Sequence, residues 1–270
     1  MNTVRAPTHN IRKPAAAGRF YPNDPVKLRA LVTDLLDAVS APPGPVPKAL
    51  IVPHAGYVFS GPIAATAYSQ LRLAAEMIKR VVLLGPSHFV ALDGVATSSA
   101  QAFATPLGVV QVDRAAVTKL AELPVVQTLD DAHAYEHSLE VQLPFLQVLL
   151  KDFAIVPLVS GETSPDEIAD VLESVWGGPD TCLIISSDLS HYLEPEAARR
   201  LDLETANGIE RLAPEAIGED QACGRIPIRG LLRAAAAHQL HPHVLDLRNS
   251  GDTGGPRNQV VGYGAFAFTN

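Results

Sequence analysis

The stretch RVVLLGPSH, Arg80 to His88, decides the fold. Four residues in a row, Val81 to Leu84, offer no polar face to water, then the chain breaks at Gly85 and Pro86 and reaches a histidine. A half-exposed strand alternates, so a short run that is apolar on both faces reads as a central strand covered on both sides. Three other runs share the design: ALIV (49–52), FAIVPLVSG (153–161) and TCLIISS (181–187). Helical periodicity lies between several of them, at about 61–75, 136–150 and 165–176. The section 94–113 reads as a strand pair, 195–211 and 227–239 as helices, and the tail as two strands joined by a Gly-rich turn. Asp24–Pro25 opens a further helix carrying Leu28, Leu31, Val32, Leu35 and Leu36 at helical spacing. Residues 1–23 look irregular, and APPGPVP (41–47) reads as a stiff connector. The alternation predicts an α/β fold, a three-layer α/β/α sandwich with a mixed central sheet, as a single domain spanning 1–270.

Composition narrows the function. The 270 residues are 47% hydrophobic and carry a formal charge of −8, with Lys and Arg scattered. That balance argues against nucleic acid or an anionic lipid surface as partner. The N-terminus lacks the apolar core of a secretory signal, and no stretch nears the roughly 20 apolar residues of a membrane helix. The expected location is the cytoplasm, where Cys182 and Cys223 stay unpaired. No glycine-rich phosphate loop follows any strand, and no serine sits in a nucleophile elbow.

Three of the apolar runs lead to a histidine: ALIV to His54, VVLLG to His88, and CLIISS to Asp188 and His191. Parallel strands present their carboxyl ends on one edge, where ligands bind. A histidine capping one turn needs no counterpart, whereas three arriving by independent routes form a constellation. Two imidazoles with one anionic donor make a metal site, and spacing leaves Glu136, Asp188 and Cys223 all open as that donor. Asp188 is placed to orient His191 for acid–base work. In DDAHAYEHSLEVQLPFL (130–146), His133 with His137, and Glu136 with Glu140, fall four apart and would share a helical face. The order H-A-Y-E-H is not the H-E-x-x-H of a zinc protease. His238, His241 and His243 gather around a helix end and read as capping or surface residues.

The segments AGRFYP (17–22), IVPHAGYVFSG (51–61), LLGPSH (83–88), EHSLEVQLPFL (136–146), IVPLVSG (155–161), SSDLSH (186–191), CGRIPI (223–228) and GYGAF (262–266) occur in an order that resembles the Memo family, whose prokaryotic members are called AmmeMemoRadiSam system protein B. The resemblance implies a fold similar to class III extradiol dioxygenases, in which two His and a Glu hold Fe(II) and a further His acts as acid–base. It implies His54, His88 and Cys223 as metal ligands, with Asp188 and His191 beside the metal; for a redox site of this kind His137 with Glu136 is expected to line the pocket. The cofactor expected on that basis is iron(II) or copper, with zinc the third choice. Implied roles are metal-dependent redox chemistry on a small molecule, or recognition of a phosphotyrosine-bearing peptide, with radical SAM and AMMECR-type proteins as partners. A zinc-dependent hydrolase is the remaining alternative, since two His, a Cys and a water make a catalytic zinc site.

Overall fold

The computed structural model describes residues 10–40 and 44–270; the first three residues of the expected connector, 41–43, lie outside them. In chain order the elements are β1 (Ile11–Arg12), α1 (Pro25–Asp37), β2 (Ala49–Val52), α2 (Tyr57–Ser69), β3 (Arg80–Pro86), β4 (Val95–Thr97), β5 (Ala102–Thr105), β6 (Gly108–Val112) and α3 (Arg114–Leu120). Then follow β7 (Val126–Thr128), α4 (Asp130–Ala134), α5 (Leu143–Leu149), β8 (Ala154–Ser160), α6 (Pro165–Ser174), β9 (Thr181–Ser186) and β10 (His191–Leu193). The chain closes with α7 (Pro195–Glu210), α8 (Arg225–Ala237), β11 (His241–Asn249), α9 (Ser250–Thr253) and β12 (Val260–Thr269).

The four apolar runs form the centre of one mixed sheet, in the order β8-β3-β9-β2, with every neighbouring pair parallel. Every residue of β2 and β9 is buried, as strands with apolar side chains on both faces require. β12 runs antiparallel to β2 and also pairs with β10 and β11, while β6 and then β5 extend the other edge. Helix α8 packs on β3, β9 and α6, whereas α2 packs on β2 and β12 with α1 beside it. The fold is thus an α/β sandwich around a mixed sheet. Among the described residues no helix is long and apolar enough to cross a membrane.

Several local expectations are corrected. Segment 94–113 holds three short strands rather than two. Of the segment 1–23, residues 1–9 lie outside the described residues, and Ile11–Arg12 form β1, which pairs with β5. Helix α2 starts at Tyr57, ahead of Pro62, so only Pro53 to Gly56 separate it from β2. The largest departure is 136–150, read as one helix. Glu136 to Leu139 are not helical, Glu140–Gln142 make a 3₁₀ turn, and α5 opens with Pro144 in its first turn. Side-chain bonds made by Glu136 compete there with helical hydrogen bonding. His133 with His137, and Glu136 with Glu140, therefore share no helical face. His238, by contrast, is the C-cap of α8 as read, and His241 and His243 follow it on β11.

Candidate metal centre

β3, β9 and β2 are adjacent and parallel, so their carboxyl ends open on one edge of the sheet. His88, Asp188 and His54 each stand two residues beyond their strand. β9 lies between β2 and β3, so the strands behind His54 and His88 are not neighbours, yet the two rings meet edge to face at 5.2 Å. Cys223 comes from another direction, in the loop that Gly224 closes at the start of α8. Its Sγ lies 3.3 Å from His54 Nε2. The donor atoms of His54, His88 and Cys223 all fall within 4.8 Å of one another.

The tautomers follow from partners behind the rings. Ser186 Oγ donates its single proton to the Ser138 carbonyl at 2.6 Å and accepts from Gln142 Nε2 at 2.8 Å. Towards His54 Nδ1, 2.9 Å away, it is therefore an acceptor, and the His54 proton sits on Nδ1. His88 Nδ1 donates to Glu136 Oε1 at 2.8 Å. Both rings are left presenting an Nε2 lone pair, the arrangement second-shell partners impose on metal-binding histidines. Burial, then the neighbouring His88, lowers the His54 pKa to about 3, so the ring stays neutral and ready to donate.

The same bookkeeping sorts the candidate third donors. Glu136 accepts from the His88 ring, from the His88 backbone N–H at 2.6 Å and from the Ser138 N–H at 2.9 Å. Burial alone would raise its pKa, but these bonds and the nearby His88 ring hold it at about 2. Its oxygens also stand with His88 and His137 in a second group of closely spaced donors, where its bonds make it the orienting residue. Asp188 Oδ1 accepts the His54 and Ala55 backbone N–H groups at 2.7 and 3.3 Å. Cys223 is the anionic donor grouped with both imidazoles, its Sγ facing His54 Nε2. Burial, and then Asp188, pushes its thiol up to about 12, so it stays protonated until a cation stabilises the thiolate. Two bare imidazole nitrogens and a thiol that needs a positive neighbour fit a soft or borderline metal ion.

The expected Asp188–His191 unit is not formed: among the described residues no hydrogen bond joins them, and Asp188 Oδ1 accepts instead from the backbone that carries His54. His191 borders the same cavity, of about 730 Å³, together with His54, His88, His137 and Asp188. His137 stacks on His88 at 4.6 Å and on Phe20 at 4.4 Å, and burial, then the neighbouring His54 ring, lowers its pKa to about 4. Tyr192 at the cavity mouth is held at φ 56°, a left-handed conformation rare for a bulky residue. His133 is buried elsewhere, its Nε2 facing the Ala96 carbonyl at 3.2 Å. Both cysteines are free, Cys182 being a buried core residue. Ser186, Gln142 and Phe20 escaped the sequence reading, since apolar pattern and spacing carry no signal for a residue that acts by supporting another.

Comparison with known proteins places the chain in a family. The profile described as Memo-like protein matches residues 12–267. A MEMO1 family protein of Aquifex aeolicus is 38% identical over 269 residues, covering 96% of this chain and 99% of the relative. A MEMO1 family protein of Sulfolobus acidocaldarius is 36% identical over 282 residues, covering 96% and 99%. Among solved structures, the crystal structure of uncharacterized protein JW3007 from Escherichia coli K12 superposes with a TM-score of 0.50. It covers 79% of this chain and 98% of its own at 14% identity, a likeness of fold. With a profile spanning almost the whole chain and relatives aligned end to end, this protein belongs to the Memo-like family.

Proposed function

We propose that the chain is a metal-dependent redox protein in which His54, His88 and Cys223 hold iron or copper at the floor of the cavity, and a small molecule reacts beside them. The observation that carries this reading is the meeting of two imidazole Nε2 lone pairs and the Cys223 thiol, each ring locked from behind by Ser186 or Glu136. Such an ion, when bound, supplies an electron-transfer centre and open positions for oxygen or substrate. His191 exchanges protons with the bound molecule from the cavity wall. Asp188, whose carboxyl burial raises above the usual range, fixes the turn that carries His54. Phe20, stacked on His137, keeps water from that side of the site.

Metal analysis of the purified protein beside Cys223→Ser and His88→Ala tests this reading. Stoichiometric iron or copper in the parent and loss in both variants is the expected result. Full retention in both would sink the ligand assignment. Oxygen uptake after loading with iron, copper or zinc in turn separates redox chemistry from zinc hydrolysis. A second reading, peptide capture, draws on the exposed Val58, Phe89 and Tyr192 beside the cavity residues Phe59, His88 and His191. Saturable binding of tyrosine-bearing peptides without oxygen uptake would favour it.

A further inference from the structure

Four tyrosines are buried: Tyr21, Tyr57, Tyr68 and Tyr263. A buried phenol ordinarily finds a hydrogen-bond partner. Tyr21 donates to Glu140, Tyr57 to the Val141 carbonyl at 2.5 Å, and Tyr68 to Gln142 Oε1 at 2.8 Å. Tyr263 has no such partner among the described residues. It is 1% exposed, yet it borders the cavity beside Asp188 and Tyr192. After burial itself, those are the two residues whose charge raises its pKa, in keeping with its place in the cavity wall.

The backbone holds the ring there. The Gly262 N–H donates to the Ser190 carbonyl and the Leu189 N–H to the Gly262 carbonyl, both at 2.8 Å. That stitches β12 to the segment between Asp188 and His191. A Cβ at Gly262 would overlap the Asp202 carboxylate, so glycine is required for this approach. Side chains alternate along a strand, so Tyr263 points away from Asp202 and towards the cavity.

We propose that Tyr263 is a substrate-contacting residue whose neutral hydroxyl donates a hydrogen bond to an oxygen of the small molecule in the cavity. The proposal rests on the reading of this cavity as a small-molecule site. Among the described residues, the lining contains Phe20 and Phe59 but no Lys or Arg. The fitting ligand class is a planar ring with a hydroxyl, carbonyl or phenolate oxygen, rather than a phosphate ester, which calls for cationic donors.

The test is Tyr263→Phe, titrated by calorimetry with 4-nitrophenolate and with nitrobenzene, metal content being measured on the same samples. 4-Nitrophenolate should bind about 10-fold more weakly to the variant, and nitrobenzene equally well to both proteins. Thermal stability adds a readout that a structural role would move differently. Tyr263→Phe should melt no lower than the parent, whereas Tyr68→Phe, which loses its bond to Gln142, should melt lower. Unchanged 4-nitrophenolate affinity, equal losses for both probes, no 4-nitrophenolate binding by the parent, or a Tyr263→Phe melting point as low as that of Tyr68→Phe would each overturn the assignment. Metal retained alongside any of these outcomes removes Tyr263 from the site and leaves the metal centre standing. A metal-free parent overturns the metal centre instead.

Discussion

At the scale of single residues, the molecule separates histidines that face a cavity from one that is simply buried. His133 shares a sequence neighbourhood with His137 but lies in the core, in edge contact with Phe103. Burial lowers its pKa from 6.5 to about 4, with Arg12 pushing the same way and the Ala96 carbonyl, Asp130 and Glu136 opposing. Between those two values the unfolded chain takes up a proton that the native state refuses, so stability falls as pH falls below about 6.5. At pH 5 the loss from this one residue is about 2 kcal/mol. Urea denaturation at pH 7 and pH 5 should therefore show a smaller acid-induced drop in His133→Phe than in the parent. Equal drops would mean that His133 is protonated in the native state. The comparison uses the difference between two pH values, so any change in packing from the new ring cancels.

At the scale of elements, the site depends on how closely α8 approaches α6, because Cys223 enters at the head of α8. A Cβ at Gly230 would fall inside the Ile168 side chain, which is fully buried on α6. Alanine favours a helix interior over glycine by about 1 kcal/mol, whereas forced overpacking costs about 1–3 kcal/mol. The depth of this overlap, against a β-branched residue with no room to turn, makes the packing loss win. Gly230→Ala should destabilise by up to about 2 kcal/mol net. Adding Ile168→Ala should then cost less than it does alone, and strict additivity in a double-mutant cycle would show that the helices yield elsewhere. Apolar pattern made the strands legible here: β2, β3, β8 and β9 read plainly because each is buried on both faces, and His54, His88 and Asp188 followed as the polar residues just past their ends. The 136–150 segment misled because Glu136 bonds sideways to His88 and Ser138, and periodicity cannot see a partner distant in sequence. Cys223 was equally hidden from spacing, which left three anionic donors open; the family resemblance singled it out, and the geometry then brought it to the two histidines.

At the scale of the whole molecule, one buried network ties the N-terminal segment to the site. Arg12 forms a buried ion pair with Glu140 and donates to the carbonyls of His133 at 2.9 Å and Glu136 at 2.6 Å. Glu140 also accepts from the Ala15 and Ala16 backbone N–H groups, at 2.7 and 2.8 Å, and from the Tyr21 hydroxyl. The segment fixed in this way carries Phe20, whose ring stacks on His137 and whose carbonyl accepts the Tyr57 N–H that opens α2, at 2.8 Å. A sequence scan sees only breaks at Pro14, Gly18 and Pro22, because the order comes from a carboxylate far along the chain. Removing one partner of a buried pair leaves the other charge unmatched, which costs about 3–5 kcal/mol, more than the pair itself contributes. Arg12→Ala should lose that much in urea denaturation. Arg12→Met with Glu140→Gln should recover part of it, because no net charge is then left buried. If the loss comes through the network, Arg12→Ala should also make the bond after Arg19 more susceptible to trypsin, since the segment no longer has its anchor. A loss below about 0.5 kcal/mol, in the range of an exposed pair, would show that water reaches Glu140 and that the segment is held by apolar contacts instead.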